Sequence, residues 1–237
     1  MNDNLAIGIM TSINLKERYM ACESTWTKNF DNVFFFGGNQ KDEKLITLES
    51  VGEDYSSAFL KQQLGLKYMF ECDNNFDWFS MNGCDHILFK KNVQAELLKY
   101  DKNVDIFLGQ TNGYMNVNET KMMTVAGGGS YFISNSLMKK IYPKILEFNN
   151  LWYNLSKSHL LPVPYGTADI AITYMIKLYF NIDVIHVAGM FSQHPNSYND
   201  QNNYLDIKLE DKERLNSPLS FHYIKPNEMQ IIYDRYK

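Results

Sequence analysis

Cysteine is scarce and unpatterned: only Cys22, Cys72 and Cys84 occur in 237 residues. An odd number with no close spacing supports neither a disulfide framework nor a zinc knuckle. The expectation is reduced thiols in a reducing compartment. No apolar run approaches the roughly 20 residues that cross a bilayer. Residues 1–12 lack a basic n-region and a cleavage site, so they do not read as a secretory signal. Basic charge is also short, with 23 Lys and Arg against 27 Asp and Glu and a net charge of −4. A non-specific nucleic-acid binder needs a basic face for phosphates and is excluded. There is no G-x-G-x-x-G, no loop ending in Gly-Lys-Ser/Thr, and no Ser-centred nucleophile elbow. These absences set the expectation of a cytoplasmic protein with no transmembrane segment and no nucleic-acid partner.

What is present is a globular composition, 45% hydrophobic and 14% aromatic, in a chain long enough for one substantial core. Short apolar runs alternate with amphipathic stretches, which is the α/β pattern. Strands are expected at 5–10, 33–36, 76–79, 104–108, 182–187 and 219–224. Leu15, Tyr19, Cys22 and Trp26 recur at helical spacing, as do Leu60, Leu64 and Tyr68 within 58–72. Further helices are expected at 93–100, 137–148 and 167–179, and one opens at Pro226, a favoured first helical position. There is no internal repeat and no linker, so residues 1–237 read as one domain. The Asn-, Asp- and Lys-rich stretch 196–218 reads as a mobile loop.

Ligands of open α/β sheets sit beyond the carboxyl ends of strands. The segment after Trp78-Phe79 is such an end and presents Asp85 and His86 beside Gly83. A carboxylate there fits Mg²⁺ or Mn²⁺, and the same residue types fit a solvated turn. Gly127 and Gly128, within Ala-Gly-Gly-Gly-Ser, fit either close backbone approach to a ligand or a tight turn. Asp169 opens a helix, where it is either a base aimed into a cleft or a favourable charge at the dipole's positive end. His194 and His222 lie in aromatic surroundings that also suit hydrogen-bonded core histidines. Cys84 has no dedicated partner for nucleophilic chemistry.

Taken in order, these segments resemble glycosyltransferase family 31, most closely its fringe and core-1 β1,3-galactosyltransferase branch. The resemblance rests on Ile7-Gly-Ile-Met-Thr-Ser, Arg18, Thr25-Trp26, Val33-Phe-Phe-Phe, Asp77-Trp78-Phe79 leading to Gly83-Cys84-Asp85, and Asp105-Ile-Phe-Leu-Gly109. It continues through Ala126-Gly-Gly-Gly-Ser-Tyr131, Ala168-Asp169-Ile170, His194-Pro195 and Ser220-Phe-His-Tyr223. It implies a GT-A type nucleotide-sugar transferase fold, α/β, with a mixed central sheet flanked by helices.

By the same resemblance the activity is inverting transfer from a UDP-sugar, with Mn²⁺ or Mg²⁺, to a hydroxyl of a glycan or glycoprotein acceptor. Asp85 and His222 would bind the metal, and Asp169 would be the base. Thr11, Ser12, Arg18, Cys84, Gly127, Gly128 and His194 would line the nucleotide-sugar site. The chain departs from the family where two acids of its acidic triplet are Gly83 and Cys84, and where the acid before Asp169 is Ala168. The family's signal anchor and luminal disulfide cysteines are absent, so the chain resembles a soluble relative. The eroded triplet keeps an alternative in view: a non-catalytic nucleotide-sugar or glycan-binding module on the same fold.

Overall fold

The computed structural model of the chain describes residues 4–127, 130–198 and 208–237. β1 (Leu5–Met10) sends Leu5, Ile7 and Ile9 into one core and Ala6 into a second. β2 (Asn32–Gly37) divides likewise, with Phe36 and Phe34 on one side and Val33 and Phe35 on the other. Strands covered on both faces read as continuous apolar runs, which is why these segments show no polar alternation.

Seven strands form the central sheet in the order β10-β6-β9-β4-β1-β2-β3. They include β3 (Ile46–Thr47), β4 (Trp78–Gly83), β6 (Phe107–Gly109), β9 (Tyr131–Ser134) and β10 (Ile185–His186). β1 pairs in parallel with β2 and β4, whereas β9 runs antiparallel to both of its neighbours, β4 and β6. The sheet is therefore mixed. From β1 the chain builds outward to β2 on one side and returns at β4 on the other, so β1 and β4 flank a topological switch point.

One face is covered by α2 (Ala58–Cys72), α4 (Asn135–Ile141), α5 (Ile145–Lys157) and α6 (Ala168–Phe180). Much of the aromatic content is spent there: Phe59, Phe148, Trp152 and Tyr174 pack ring on ring. The Trp152 indole N–H donates to the Tyr165 carbonyl at 2.9 Å, so the buried ring leaves no polar atom unpaired. α2 lies close on β1. A Cβ on Gly65 would stand 2.7 Å from Met81 Cε, and one on Gly8 would stand 2.1 Å from Met81 Sδ. The other face is covered by α1 (Lys16–Ser24), α3 (Lys90–Leu97) and α8 (Pro226–Tyr236).

The structure departs from the sequence expectations in five segments. The helical run 137–148 is split by a turn at Tyr142–Lys144, where Pro143 cannot supply a helical N–H. Residues 111–125, left without an element by the sequence, form a hairpin of β7 (Thr111–Val117) and β8 (Thr120–Val125). The strand at 182–187 shortens to Ile185–His186, and that at 219–224 to β11 (Ser220–Phe221). Within the stretch read as a loop, α7 (Leu209–Glu213) forms, anchored by buried Asp211, whose Oδ1 accepts from Gly189 N at 2.9 Å. Residues 199–207 of that stretch lie outside the described residues. Among the described residues no helix is long and apolar enough to cross a membrane.

Candidate active site

A cleft of about 560 Å³ opens at the carboxyl ends of β1 and β4 and the start of β9. β4 stops at Gly83, the chain turns through Cys84-Asp85-His86, and β5 (Ile87–Leu88) follows. β5 pairs antiparallel with β11 in the register Ile87–Phe221 and Leu88–Ser220. One step further along that register His222 faces His86, and Ile224 N donates to the Asp85 carbonyl at 3.0 Å. A two-residue strand pair thus brings a C-terminal histidine to the end of a central strand.

The outcome is a compact cluster. Ligand atoms of Asp85, His86 and His222 all lie within 4.8 Å of one another. His222 Nε2 is 3.3 Å and His86 Nδ1 is 3.5 Å from Asp85 Oδ1, and an Arg18 guanidinium nitrogen is 3.4 Å from Oδ2. Burial pushes the Asp85 carboxyl up, but hydrogen bonding and charge from His222 and His86 outweigh it and hold the group well below the usual carboxylate range. One ionised carboxylate with imidazole nitrogen is a donor set that fits a divalent first-row transition metal.

The two histidines differ. His86 is buried, and Gly83 N donates to its Nδ1 at 3.0 Å. Its Nε2 lies 3.2 Å from the Gly127 carbonyl. Nδ1 also lies 3.2 Å from the Gly83 carbonyl, so both nitrogens are engaged. Burial lowers the His86 pKa against the opposing pull of Asp85. His222 stacks on His86 with ring centroids 4.3 Å apart, sets Nδ1 3.3 Å from the Ser192 carbonyl, and turns Nε2 to Asp85. Asp85 and His222 are therefore the residues that would hold an ion, and His86 braces them.

Gly127 joins this cluster to Asp169. Its carbonyl meets His86, and its N–H donates to Asp169 Oδ2 at 3.0 Å. A Cβ at 127 would stand 2.5 Å from Asp169 Cβ, so glycine is required by the close approach. Asp169 Oδ1 accepts from Ile170 N at 3.0 Å in the first turn of α6. The carboxylate is thus fixed in orientation while its side chain lines the cleft.

Thr11, Ser12, Arg18, Cys84, Asp85, Gly127, Asp169 and His222, all expected from sequence, line this one cleft. Cys84 is buried, its thiol pushed up to about 11, chiefly by burial. Gly128 lies outside the described residues. His194 departs from expectation. It is not part of the lining; its Nδ1 accepts from Asn196 N at 3.1 Å and its Nε2 is 3.7 Å from Glu228 of α8. The chain passes the cleft at Ser192 and turns away at Pro195–Tyr198.

Sequence reasoning missed Glu53, Lys61 and Gln62, which also line the cleft. Lys61 Nζ donates to the Thr11 carbonyl at 2.7 Å and stands 3.5 Å from Glu53 Oε2. Gln62 Nε2 donates to the Ala168 carbonyl at 2.7 Å, tying α2 to the residue before Asp169. The available signal was periodicity, and only for Gln62, which falls on the face of α2 that Phe59, Leu66 and Met69 bury.

No curated protein matches this sequence. Among solved structures, the chain is similar to the galactosyltransferase LgtC in complex with donor and acceptor sugar analogues, with TM-score 0.54 and 12% identity over 93% of this chain and 87% of that one. It is similar to the glycosyltransferase GlyE of Streptococcus pneumoniae TIGR4, with TM-score 0.52 and 12% identity over 98% of this chain and 59% of that one. The bifunctional glycosyltransferase WbbM gives TM-score 0.53 at 10% identity, over 95% of this chain and 46% of that one. These likenesses establish the GT-A fold. The Fringe-like family model matches residues 2–235. The chain accordingly belongs to the Fringe-like family of glycosyltransferases, with its candidate catalytic cleft at the switch point of a GT-A sheet.

Proposed function

We propose that the protein is an inverting, metal-assisted transferase that moves a sugar from a UDP-sugar to a hydroxyl of a glycan or glycoprotein acceptor. The observation that carries this reading is the sharing of one cleft by the Asp85–His222 pair and the Asp169 carboxylate. Asp85 Oδ and His222 Nε2 would hold a divalent ion, and Mn²⁺ suits an oxygen–imidazole set better than Mg²⁺ does. When bound, such an ion neutralises charge that builds on the leaving diphosphate. The remaining work falls to the chain. Thr11 and Ser12 line the cleft on the nucleotide side, and Arg18 adds positive charge beside Asp85. Asp169 takes the proton of the attacking hydroxyl as general base. The Gly127 N–H aims that carboxylate, and the His86 bond to the Gly127 carbonyl holds the donor of that N–H in place.

A binding-only module would have no use for a base. The fixing of Asp169 by Gly127, in the same cleft as the Asp85–His222 pair, favours catalysis. UDP with Mn²⁺ is expected to raise the melting temperature of wild type and of Asp169→Asn alike, while Asp169→Asn abolishes transfer. Full activity in Asp169→Asn would reject the base assignment. The anomeric configuration of the product, read by NMR coupling constants, checks inversion.

A further inference from the structure

Four carboxylates line the cleft: Glu53, Asp54, Asp85 and Asp169. Three are committed. Asp54 Oδ1 caps the turn before α2, accepting from Ser57 N at 3.0 Å and from the Ser56 and Ser57 hydroxyls. Asp85 faces His222, His86 and Arg18, and Asp169 is held by Gly127 and Ile170. Glu53 is different. Its side chain is only 9% exposed, and its Oε1 accepts from Gln40 N at 3.3 Å. Its Oε2 is buried and has no hydrogen-bond donor. The Lys61 ammonium lies 3.5 Å away but gives its hydrogen bond to the Thr11 carbonyl. The Thr11 hydroxyl oxygen is likewise buried without a partner.

The ion pair with Lys61 at 3.5 Å offsets only part of the cost of burying this oxygen, because no hydrogen bond repays its desolvation. The same wall holds a spare acceptor on Glu53, a spare hydroxyl on Thr11 and an ammonium with N–H groups left over. This combination complements neighbouring hydroxyls, each of which both donates and accepts. We infer that Glu53, with Lys61 and Thr11, forms a subsite for a vicinal diol of the donor, carried either by the ribose or by the transferred sugar. The inference rests on the nucleotide-sugar reading above.

Calorimetric titration with Mn²⁺ tests it without turnover. Wild type would be titrated with UDP, 2′-deoxy-UDP and 3′-deoxy-UDP, and with UDP-galactose, UDP-glucose and UDP-N-acetylglucosamine. If the diol is the ribose, deletion of either hydroxyl weakens binding about tenfold or more, as loss of a charge-assisted hydrogen bond does. Glu53→Gln then weakens UDP by a similar factor and removes the discrimination. If the diol is on the sugar, the deoxy forms bind like UDP. One UDP-sugar then binds about tenfold tighter than UDP, and Glu53→Gln erases that gain. The wild-type comparison needs no variant, so a misfolded Glu53→Gln leaves the test intact. Equal affinity across both series overturns the subsite while leaving the donor reading standing. Failure of every nucleotide to bind overturns the donor reading and the subsite with it.

Discussion

At Gly83 a Cβ would stand 2.7 Å from Asp85 Oδ1 and 3.1 Å from His86 Nδ1. His86 and an acid at 83 therefore compete for the same space, and this chain has taken the histidine. Gly83→Asp is expected to displace Asp85 and His86 and to weaken, not strengthen, the melting-temperature rise given by Mn²⁺ with UDP. Gly127→Ala forces Asp169 aside, and a misplacement near 1 Å costs about 100-fold in rate. A transfer assay should show that loss in kcat, and wild-type kcat in this variant would contradict the role given to Gly127. The cysteines differ by environment: Cys72 is exposed, whereas Cys84 is buried with its thiol at about 11. Iodoacetamide at pH 8 should alkylate Cys72 first and leave Cys84 intact by mass spectrometry. His86 has a folded pKa below 6.5 because of burial. Between that value and its ordinary one the unfolded chain binds more protons, so stability falls as pH drops through this window. Denaturant melts from pH 7 downward should show this slope, and His86→Gln should flatten it.

At the scale of elements, β5 and β11 matter most for their size. Phe221 of β11 is buried and packs against Phe89 and Phe191. Phe221→Ala should cost about 3–5 kcal/mol and should also reduce Mn²⁺-dependent stabilisation, because His222 follows it directly. Urea melts with and without the ion separate the two effects. Such a pair is nearly invisible in sequence, since two residues carry no period. What could be read was the extent of a long element such as α2, expected and found over Ala58–Cys72, but not its buried face: Phe59, Leu66 and Met69 are buried, whereas Leu60 and Leu64 of the expected stripe are half-buried and Tyr68 is exposed. The hairpin β7–β8 was not legible. Its outer face carries polar residues, and its turn uses Asn118 and Glu119 at positive φ in place of the Asn-Gly signal. α7 was hidden because its sequence, Leu-Glu-Asp-Lys-Glu, looks solvated, and only tertiary contact reveals Asp211 as buried. In the cleft, Asp85, Asp169 and His222 stood out in the sequence, and the resemblance supplied their roles. Glu53 and Lys61 did not, because their partnership depends on how α2 lies against the end of β1.

Over the whole molecule, the sheet separates two cores, and the cleft draws residues from both sides of it. A ligand that binds only the folded state adds about 2.7 kcal/mol of stability at 100 times its Kd. Saturating UDP with Mn²⁺ should therefore shift the entire unfolding transition of wild type, whatever probe follows it. A shift seen by one probe alone would mean that the sheet does not unfold as a unit. The pairing of β5 with β11 has a practical consequence for any preparation of this protein. The two residues proposed to hold an ion, Asp85 and His222, lie far apart along the chain, and contacts of such separation are slow to form in folding. A molecule cleaved before His222, or one whose last strand has docked in the wrong register, keeps Asp85 and loses its counterpart. If Mn²⁺ with UDP stabilises the protein as proposed, that response doubles as an assay of integrity: the fraction of a sample that responds is the fraction with β11 docked in register.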